Sequence, residues 1–271
     1  MPAFDGGQER TGTVPGNGRT GGIRLSIVVP AYQEARRLAP SLASILEHLE
    51  GSAALLPAEI LVVDDGSRDD TAAVARRFGA ATTHRIQLVV LRHDCNRGKG
   101  AAVRTGFLAS RGELVLLCDA DLATPIEEVG VLAAASSPQR VVIGSRALRR
   151  DLIEAAQPRH RDLMGRVFNL MVRALALPGI RDSQCGFKLF PGPLGRALAA
   201  VQRLDGFAFD VELLMVARRW GVEVVEVPVR WRHVEESRVR LVRHPVQMLH
   251  DILTLWLRDL RGRAPRPPEG L

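Results

Sequence analysis

Residues 113–125 read ELVLLCDADLATP. An unbroken apolar run, Leu114 to Cys118, ends in two carboxylates, Asp119 and Asp121, with only Ala120 between them. A short apolar run bounded by polar residues reads as a strand buried on both faces. Such strands belong to parallel sheets covered by helices, and these sheets bind ligands at the carboxyl ends of their strands. The stretch therefore predicts a fold class and also the edge of the fold where chemistry is to be sought.

Neighbouring segments repeat the pattern. LSIVVPAY (25–32), AEILVVDDGS (58–67), IQLVVLRH (86–93) and RVVIGSR (140–146) are further apolar runs. Helix-like segments at Ala35–Leu49, Asp69–Phe78 and Gly100–Ser110 alternate with the first four. The expectation is an α/β fold, a mostly parallel central sheet with helices on both faces. Its strand ends carry Tyr32 and Glu34, Asp64 and Asp65, and Asp119 and Asp121.

Beyond Arg146 the rhythm changes. A helix is expected over 161–177, a loop over 181–190, and helices near 193–202 and 209–220. VEVVEVPVRW (222–231) reads as a strand that Pro228 places at an edge or bends. Residues 245–260 read as an amphipathic helix with Pro245 in its first turn and Val246, Leu249, Leu253, Trp256 and Leu260 along one face. The expected organisation is a disordered leader (1–22), a catalytic domain (23–242), an amphipathic C-terminal helix (243–262) and a disordered tail (263–271).

The net charge of +7 rests almost wholly on arginine, because Lys99 and Lys188 are the only lysines. Such an excess suits an anionic partner. Aromatics are only 4% and no nucleic-acid motif is present, which argues against nucleic acid. Cys95, Cys118 and Cys185 show no metal-binding spacing and read as reduced thiols of a cytosolic protein. No apolar stretch reaches the roughly 20 residues that span a bilayer, so a cytoplasmic protein, peripheral at the inner face of the membrane, is expected. Arg243, Arg258, Arg261 and Arg263 at or near the ends of the last helix suit an anionic membrane surface. The same helix also suits packing on the domain or a homodimer seam.

Two carboxylates one residue apart repel each other and call for a cation between them. Mg²⁺ and Mn²⁺ take oxygen ligands, usually one or two carboxylates plus substrate phosphates, so Asp119 and Asp121 are candidate metal ligands. The alternative is a solvated turn with one Asp capping the helix near Pro125. Asp64 and Asp65 could accept hydrogen bonds from a base N–H or ribose hydroxyls, or precede an ordinary cap at Ser67 or Asp69. In Asn96-Arg97-Gly98-Lys99-Gly100 the glycines would let backbone N–H groups approach an anion at a helix N-terminus. The run is neither a dinucleotide nor a P-loop signature.

SIVVPAYQE, ILVVDDGSRDDT, NRGKGAAVRTG and LLCDADLATP, in this order, resemble the GT-A glycosyltransferases of family 2. VVIGSR, MGRVFNLMVRAL, GIRDSQCGFKLF, DGFAFDVELL and EVPVRWRHVEESRVR resemble the polyprenyl-phosphate sugar synthases, above all the dolichyl-phosphate β-glucosyltransferase type. The resemblance covers about residues 24 to 242. It implies a GT-A fold and transfer of a sugar, with inversion, from a nucleotide sugar donor to a polyprenyl phosphate acceptor.

By this resemblance Pro30, Tyr32, Glu34 and Asp65 line the nucleoside pocket, while Asp119 and Asp121 serve the ribose–diphosphate and the metal. Asp64, Gly98 and Lys99 complete the expected donor set. Arg146, Arg166 and Arg238 match positions that grip phosphates, which the planar guanidinium fork does well. Asp205, Asp210 and Glu212 are candidate sugar ligands, with helix N-terminal charge as the competing account for the last two. Residues 184–188 would form a loop over the sugar. The mannosyl synthases usually carry DADLQHP, where the Gln assists the metal. Residue 123 is Ala here, which favours UDP-glucose over GDP-mannose.

Three alternatives remain. A polyprenyl-phosphate mannosyltransferase would use GDP-mannose. A family 2 enzyme acting on a soluble hydroxyl would need a general base, with Asp210 or Asp182 the candidates. A nucleotidyltransferase would need a Gly-rich basic start after the first strand, where PAYQE stands instead.

Overall fold

The structure is a computed structural model that describes residues 22–80, 82–155, 169–232, 243–260 and 265–268. All seven residues of β1 (Leu25–Ala31) and of β2 (Ala58–Asp64) are buried. This follows from their runs of Val, Ile and Leu, which suit a pleated surface covered on both sides. With β3 (Ile86–Arg92) and β4 (Leu114–Cys118) they form a parallel unit in the order β3-β2-β1-β4.

Alternation along these strands divides the core in two. Val28, Leu61, Val63, Val115 and Leu117 face one side, against α3 (Lys99–Ala109), α5 (Gly192–Val201), α6 (Phe209–Arg219) and α7 (Arg243–Leu260). Ile27, Val29, Ile60, Val62 and Leu116 face the other, against α1 (Ala35–Gly51), α2 (Thr71–Gly79) and α4 (Val129–Ala134). Helix α1 presents Leu38, Leu42, Ile45 and Leu49 at helical spacing, so one stripe enters the core and the remainder meets water. The expected α/β architecture with helices on both faces is thus found.

The sheet continues through β7 (Phe187–Pro191), β5 (Arg140–Ser145) and β8 (Glu223–Pro228), in the overall order β3-β2-β1-β4-β7-β5-β8. Strand β7 runs antiparallel to both neighbours, with Lys188 opposite Leu117 and Ile143. This corrects the reading of 181–190 as a loop. The polar Lys188 interrupts FKLF and hid the strand, yet its side chain is buried to 1% exposure because Asp210 receives it.

Two other readings change. The helix near Pro125, given no bounds from the sequence, is a 3₁₀ turn at Ile126–Glu128 followed by α4. The stretch 222–231 is two strands: β8 lies at the sheet edge, where Pro228 breaks no ladder, and β9 (Trp231–Arg232) pairs with β6 (Ile153–Ala155) in a separate two-stranded sheet. Of the helix expected over 161–177, residues 169–175 are helical and 161–168 lie outside the described residues.

Phe107 of α3 packs edge-on against Phe190 of β7, with ring centroids 5.1 Å apart. This contact ties the helix that carries Lys99 to the inserted strand. Phe107→Ala is expected to cost about 3–5 kcal/mol of stability, read as a lowered urea midpoint.

Candidate active site

The carboxyl ends of β1, β2, β4 and β5 set the site, and each carries a different chemistry. Strand β4 stops at Cys118, so Asp119 and Asp121 lie in a turn in which the Leu122 N–H donates to the Asp119 carbonyl at 3.1 Å. The carboxylates therefore do not stack along a strand, and Asp121 Oδ1 accepts the Ala123 N–H at 3.1 Å. Their side chains are 33% and 27% exposed, accessible to a ligand but largely shielded from water. Burial and the neighbouring Asp119 charge push the Asp121 pKa above the ordinary carboxylate range, which marks the negative charge as under-compensated. A Cβ on Gly186 would lie 1.9 Å from Asp119 Oδ2, so the carboxylate occupies a notch that only glycine leaves open.

Lys99 Nζ lies 2.7 Å from Asp119 Oδ1 and 6.0 Å from the centre of the Phe209 ring. Burial opposes the ammonium charge, but Asp119, Asp210 and Asp121 outweigh it and raise the lysine pKa above its usual value. On the other side, Arg37 forms a two-point bond to Glu34 at 2.7 and 2.6 Å and places Nη1 4.0 Å from Asp121 Oδ2. Tyr32 stands beside Glu34, its hydroxyl 3.3 Å from Gln33 Nε2. Pro30, one residue before the end of β1, lies past the end of the β1–β4 ladder at Val28↔Leu117, so its missing N–H breaks no bond on that side.

Asp64 accepts the Ser67 N–H at 3.0 Å through Oδ1. Its Oδ2 lies 3.1 Å from Arg92 Nε but without hydrogen-bond alignment. Asp65 behaves differently from the expectation of a direct nucleoside ligand. Its carboxylate takes the Arg97 and Gly98 N–H groups at 2.9 and 2.8 Å, Asn96 Nδ2 at 2.8 Å and His93 Nδ1 at 2.7 Å. Both oxygens are engaged within the protein, so Asp65 contributes through the loop it holds.

That loop is not the open anion cradle the glycines suggested. Gly98 adopts a φ of +108°, and a Cβ there would lie 2.3 Å from the Asp205 carbonyl oxygen. The same carbonyl accepts the Gly100 N–H at 2.8 Å and the Ala101 N–H at 3.3 Å. The start of α3 is therefore capped from inside the protein, and what the turn presents to the site is the Lys99 ammonium.

At the end of β5, Arg146 is held by Asp182 in a fork: Nε to Oδ2 and Nη2 to Oδ1, each 2.7 Å. Its backbone N–H adds a third bond at 2.8 Å. The guanidinium lies 5.5 Å from the Trp231 ring centre, a cation–π contact. Nη1 makes no further hydrogen bond among the described residues. Glu226 accepts the Arg181 and Asp182 N–H groups at 2.7 and 2.8 Å, fixing the segment that carries Asp182. Burial works against the Asp182 charge, but Arg146 outweighs it and holds the carboxyl below its usual range.

Asp210 is buried, with Lys188 Nζ at 2.7 Å from Oδ1. Burial raises its pKa while Lys188 and Lys99 oppose the rise. Glu212 is spent on the Arg203 and Leu204 N–H groups, at 3.0 and 2.8 Å, and Asp205 pairs with Arg104 at 2.7 Å. Arg166 and Arg238 lie outside the described residues. Sequence reading missed Arg37, Gly186 and the pairing of Asp182 with Arg146. It also missed β9, where Trp231 covers Arg146 and the Arg232 N–H donates to the Ala123 carbonyl at 2.9 Å. No spacing signal marks these residues; they converge only through the fold.

Residues 26–191 match Glycosyl transferase family 2. The chain belongs to that family. It is 37% identical over 268 residues to a dolichyl-phosphate beta-glucosyltransferase of Drosophila melanogaster, spanning 93% of this chain and 80% of the relative. To the Homo sapiens protein of the same name it is 37% identical over 254 residues, spanning 88% and 76%. Glucosyl-3-phosphoglycerate synthase from Mycobacterium tuberculosis, solved with Mn²⁺ and uridine-diphosphate-glucose, shares the fold at a TM-score of 0.58 and 19% identity, covering 92% and 82%. A mannosyltransferase from Pyrobaculum calidifontis, solved with GDP-Man and Mn²⁺, does so at 0.56 and 21%, covering 85% and 64%. This glycosyltransferase therefore has the GT-A fold expected from its motifs.

Two variants test the site's construction. Gly186→Ala is expected to displace the Asp119 carboxylate and lower glycosyl transfer by roughly 10²-fold, with circular dichroism unchanged. Lys188→Met leaves Asp210 buried without its hydrogen-bonded counter-charge and with only the more distant Lys99 to offset it, and chemical unfolding should register a loss of about 3 kcal/mol.

Proposed function

We propose that the protein transfers glucose from UDP-glucose to a polyprenyl phosphate of the dolichyl type, with inversion at the anomeric carbon and with Mg²⁺ or Mn²⁺ as cofactor. The relatives named dolichyl-phosphate beta-glucosyltransferase support this substrate pair. The observation that carries it is the state of the carboxylates around Arg146. Asp182 is locked in an ion pair and held below its ordinary pKa, and Asp210 is locked on Lys188. Neither suits the task of taking a proton from a hydroxyl acceptor. A phosphate acceptor is already anionic and asks only to be held in line.

In this reading Arg146, fixed by Asp182 and Trp231, presents its remaining N–H groups to the acceptor phosphate. Arg166 and Arg238 are proposed to assist it. Tyr32 and Glu34 lie beside the nucleoside, Asp64, fully buried and bonded to the Ser67 N–H, supports that edge from within, and the loop organised by Asp65 delivers Lys99 to the diphosphate. An acceptor phosphate oxygen forms the new bond to the anomeric carbon, and the bond to the diphosphate oxygen breaks, releasing UDP. Asp119 and Asp121 fit a hard divalent ion: both are oxygen donors, close in sequence and each about a third exposed, and Gly186 gives the Asp119 carboxylate its place. Diphosphate oxygens and water would complete the shell. When bound, the metal supplies charge neutralisation for the leaving diphosphate.

Helix α7 is the proposed contact with an anionic membrane surface at the cytoplasmic face. Met248 and Ile252 anchor it in the core, while Leu253 and Leu257, one turn apart, are 39% and 44% exposed. No helix among the described residues is long and apolar enough to cross a membrane.

A transfer assay with UDP-glucose, GDP-mannose and short polyprenyl phosphates, with and without chelator, tests the reaction. Metal-dependent lipid-linked glucose is expected. Lipid-linked mannose, or donor cleavage without lipid product, would overturn it. Asp121→Asn should lower transfer by roughly 10²–10³-fold with an unchanged melting temperature.

A further inference from the structure

The cations of the site differ in how firmly they are held. Arg146 is forked on Asp182, Arg37 is forked on Glu34, and Lys188 is buried between Asp210 and the Cys185 carbonyl. Lys99 has one carboxylate partner, Asp119, at 2.7 Å, and its remaining contact is the Phe209 ring. Asp119 in turn receives no other side chain among the described residues. Among the described residues each is thus the other's one salt-bridge partner, with Asp210 and Asp121 acting on Lys99 from farther away, and that partner is a proposed metal ligand.

We propose that Lys99 and the divalent metal are alternative counter-ions of Asp119, so that Lys99 leaves this carboxylate as the metal arrives and moves onto the donor diphosphate. The inference rests on the glycosyl-transfer reading of Asp119 and Asp121. An ammonium and a divalent ion on the same carboxylate repel each other, and the neighbouring carboxylates offset this only in part, because Asp210 is already paired with Lys188. Lysine suits the exchange because it is a compact point charge on a flexible stem, whereas a forked arginine would lose two aligned bonds. The incoming diphosphate offers Lys99 a new anion within reach of its anchor at the start of α3. Metal and nucleotide then bind with positive coupling, and departure of UDP returns Lys99 to Asp119, which expels the metal.

The test is Mn²⁺ uptake by the full chain, followed by electron paramagnetic resonance of the free ion with and without UDP. Wild-type protein is expected to bind Mn²⁺ weakly alone and about tenfold or more tightly with UDP. Lys99→Met is expected to bind Mn²⁺ without UDP about tenfold more tightly than wild type, and to gain less from UDP. Lys99→Gln, which keeps a polar chain, reports the same shift if the apolar variant does not fold. Equal or weaker Mn²⁺ affinity in the folded variants overturns the exchange and leaves the metal site standing, as long as Asp119→Asn abolishes uptake. No uptake by wild-type protein even with UDP overturns both.

Discussion

A lysine buried in the middle of a seven-stranded sheet is the constraint on which the site depends. Lys188 stands opposite Leu117 and Ile143, and water reaches almost none of it. Removing an ammonium from water costs several kcal/mol unless an opposite charge and further acceptors receive it. Asp210 and the Cys185 carbonyl do so at 2.7 and 2.6 Å. Strand β7 can therefore enter between β4 and β5 only when α6 brings Asp210 to this depth. With β7 in place, Gly186 opens the notch for Asp119, and Asp182, just upstream, reaches Arg146. The same ion pair that fixes the topology withdraws Asp210 from proton chemistry.

The cluster above that pair follows a division of labour between the two kinds of cation. In a chain whose positive charge is almost wholly arginine, both lysines face the carboxylates of this one cluster. Arginine serves where geometry must be fixed: Arg146 on Asp182 and Arg37 on Glu34 use two parallel bonds that resist displacement. Lysine serves where a charge must be compact, either to fit inside the sheet or to be exchanged. The choice is intelligible because a planar fork fits neither a strand interior nor a site that must change partners.

Much of the fold was legible because its signals are local. The apolar runs of β1 to β5, their ends in Tyr32, Asp64, Asp65, Asp119 and Asp121, and the stripe of α1 all follow from period and composition. The antiparallel β7 was not legible, because Lys188 in FKLF reads as a loop residue until its partner 22 positions later is known to lie beneath it. The site was legible to the level of residue types but not of roles. Asp65 could be marked as a strand-end carboxylate; that its four bonds all go to the protein depends on the return of His93–Gly98 to the same edge. Gly98 and Gly100 read as letting backbone N–H groups approach an anion, and that reading did not hold. The group that approaches is the Asp205 carbonyl, which no local pattern encodes.

The engaged carboxylates also bear on the chemistry the edge can perform. A hydroxyl nucleophile needs a base that is free, accessible and near neutral in affinity for protons. Asp182 is paired and acidified, Asp210 is paired and buried, Glu212 is spent on backbone N–H groups, and Asp65 is spent on its loop. Asp119 and Asp121 are the more exposed pair, each with one close polar contact to the protein, Asp119 to Lys99 and Asp121 to the Ala123 N–H, and their mutual repulsion favours a cation between them. What this edge supplies is positive charge from Arg146, forked on Asp182, and from Lys99, the charge proposed to be movable, beside the carboxylate pair. That arrangement suits a reaction in which nucleophile and leaving group are both phosphate oxygens: negative charge enters with one and leaves with the other, and the protein's task is to balance it throughout.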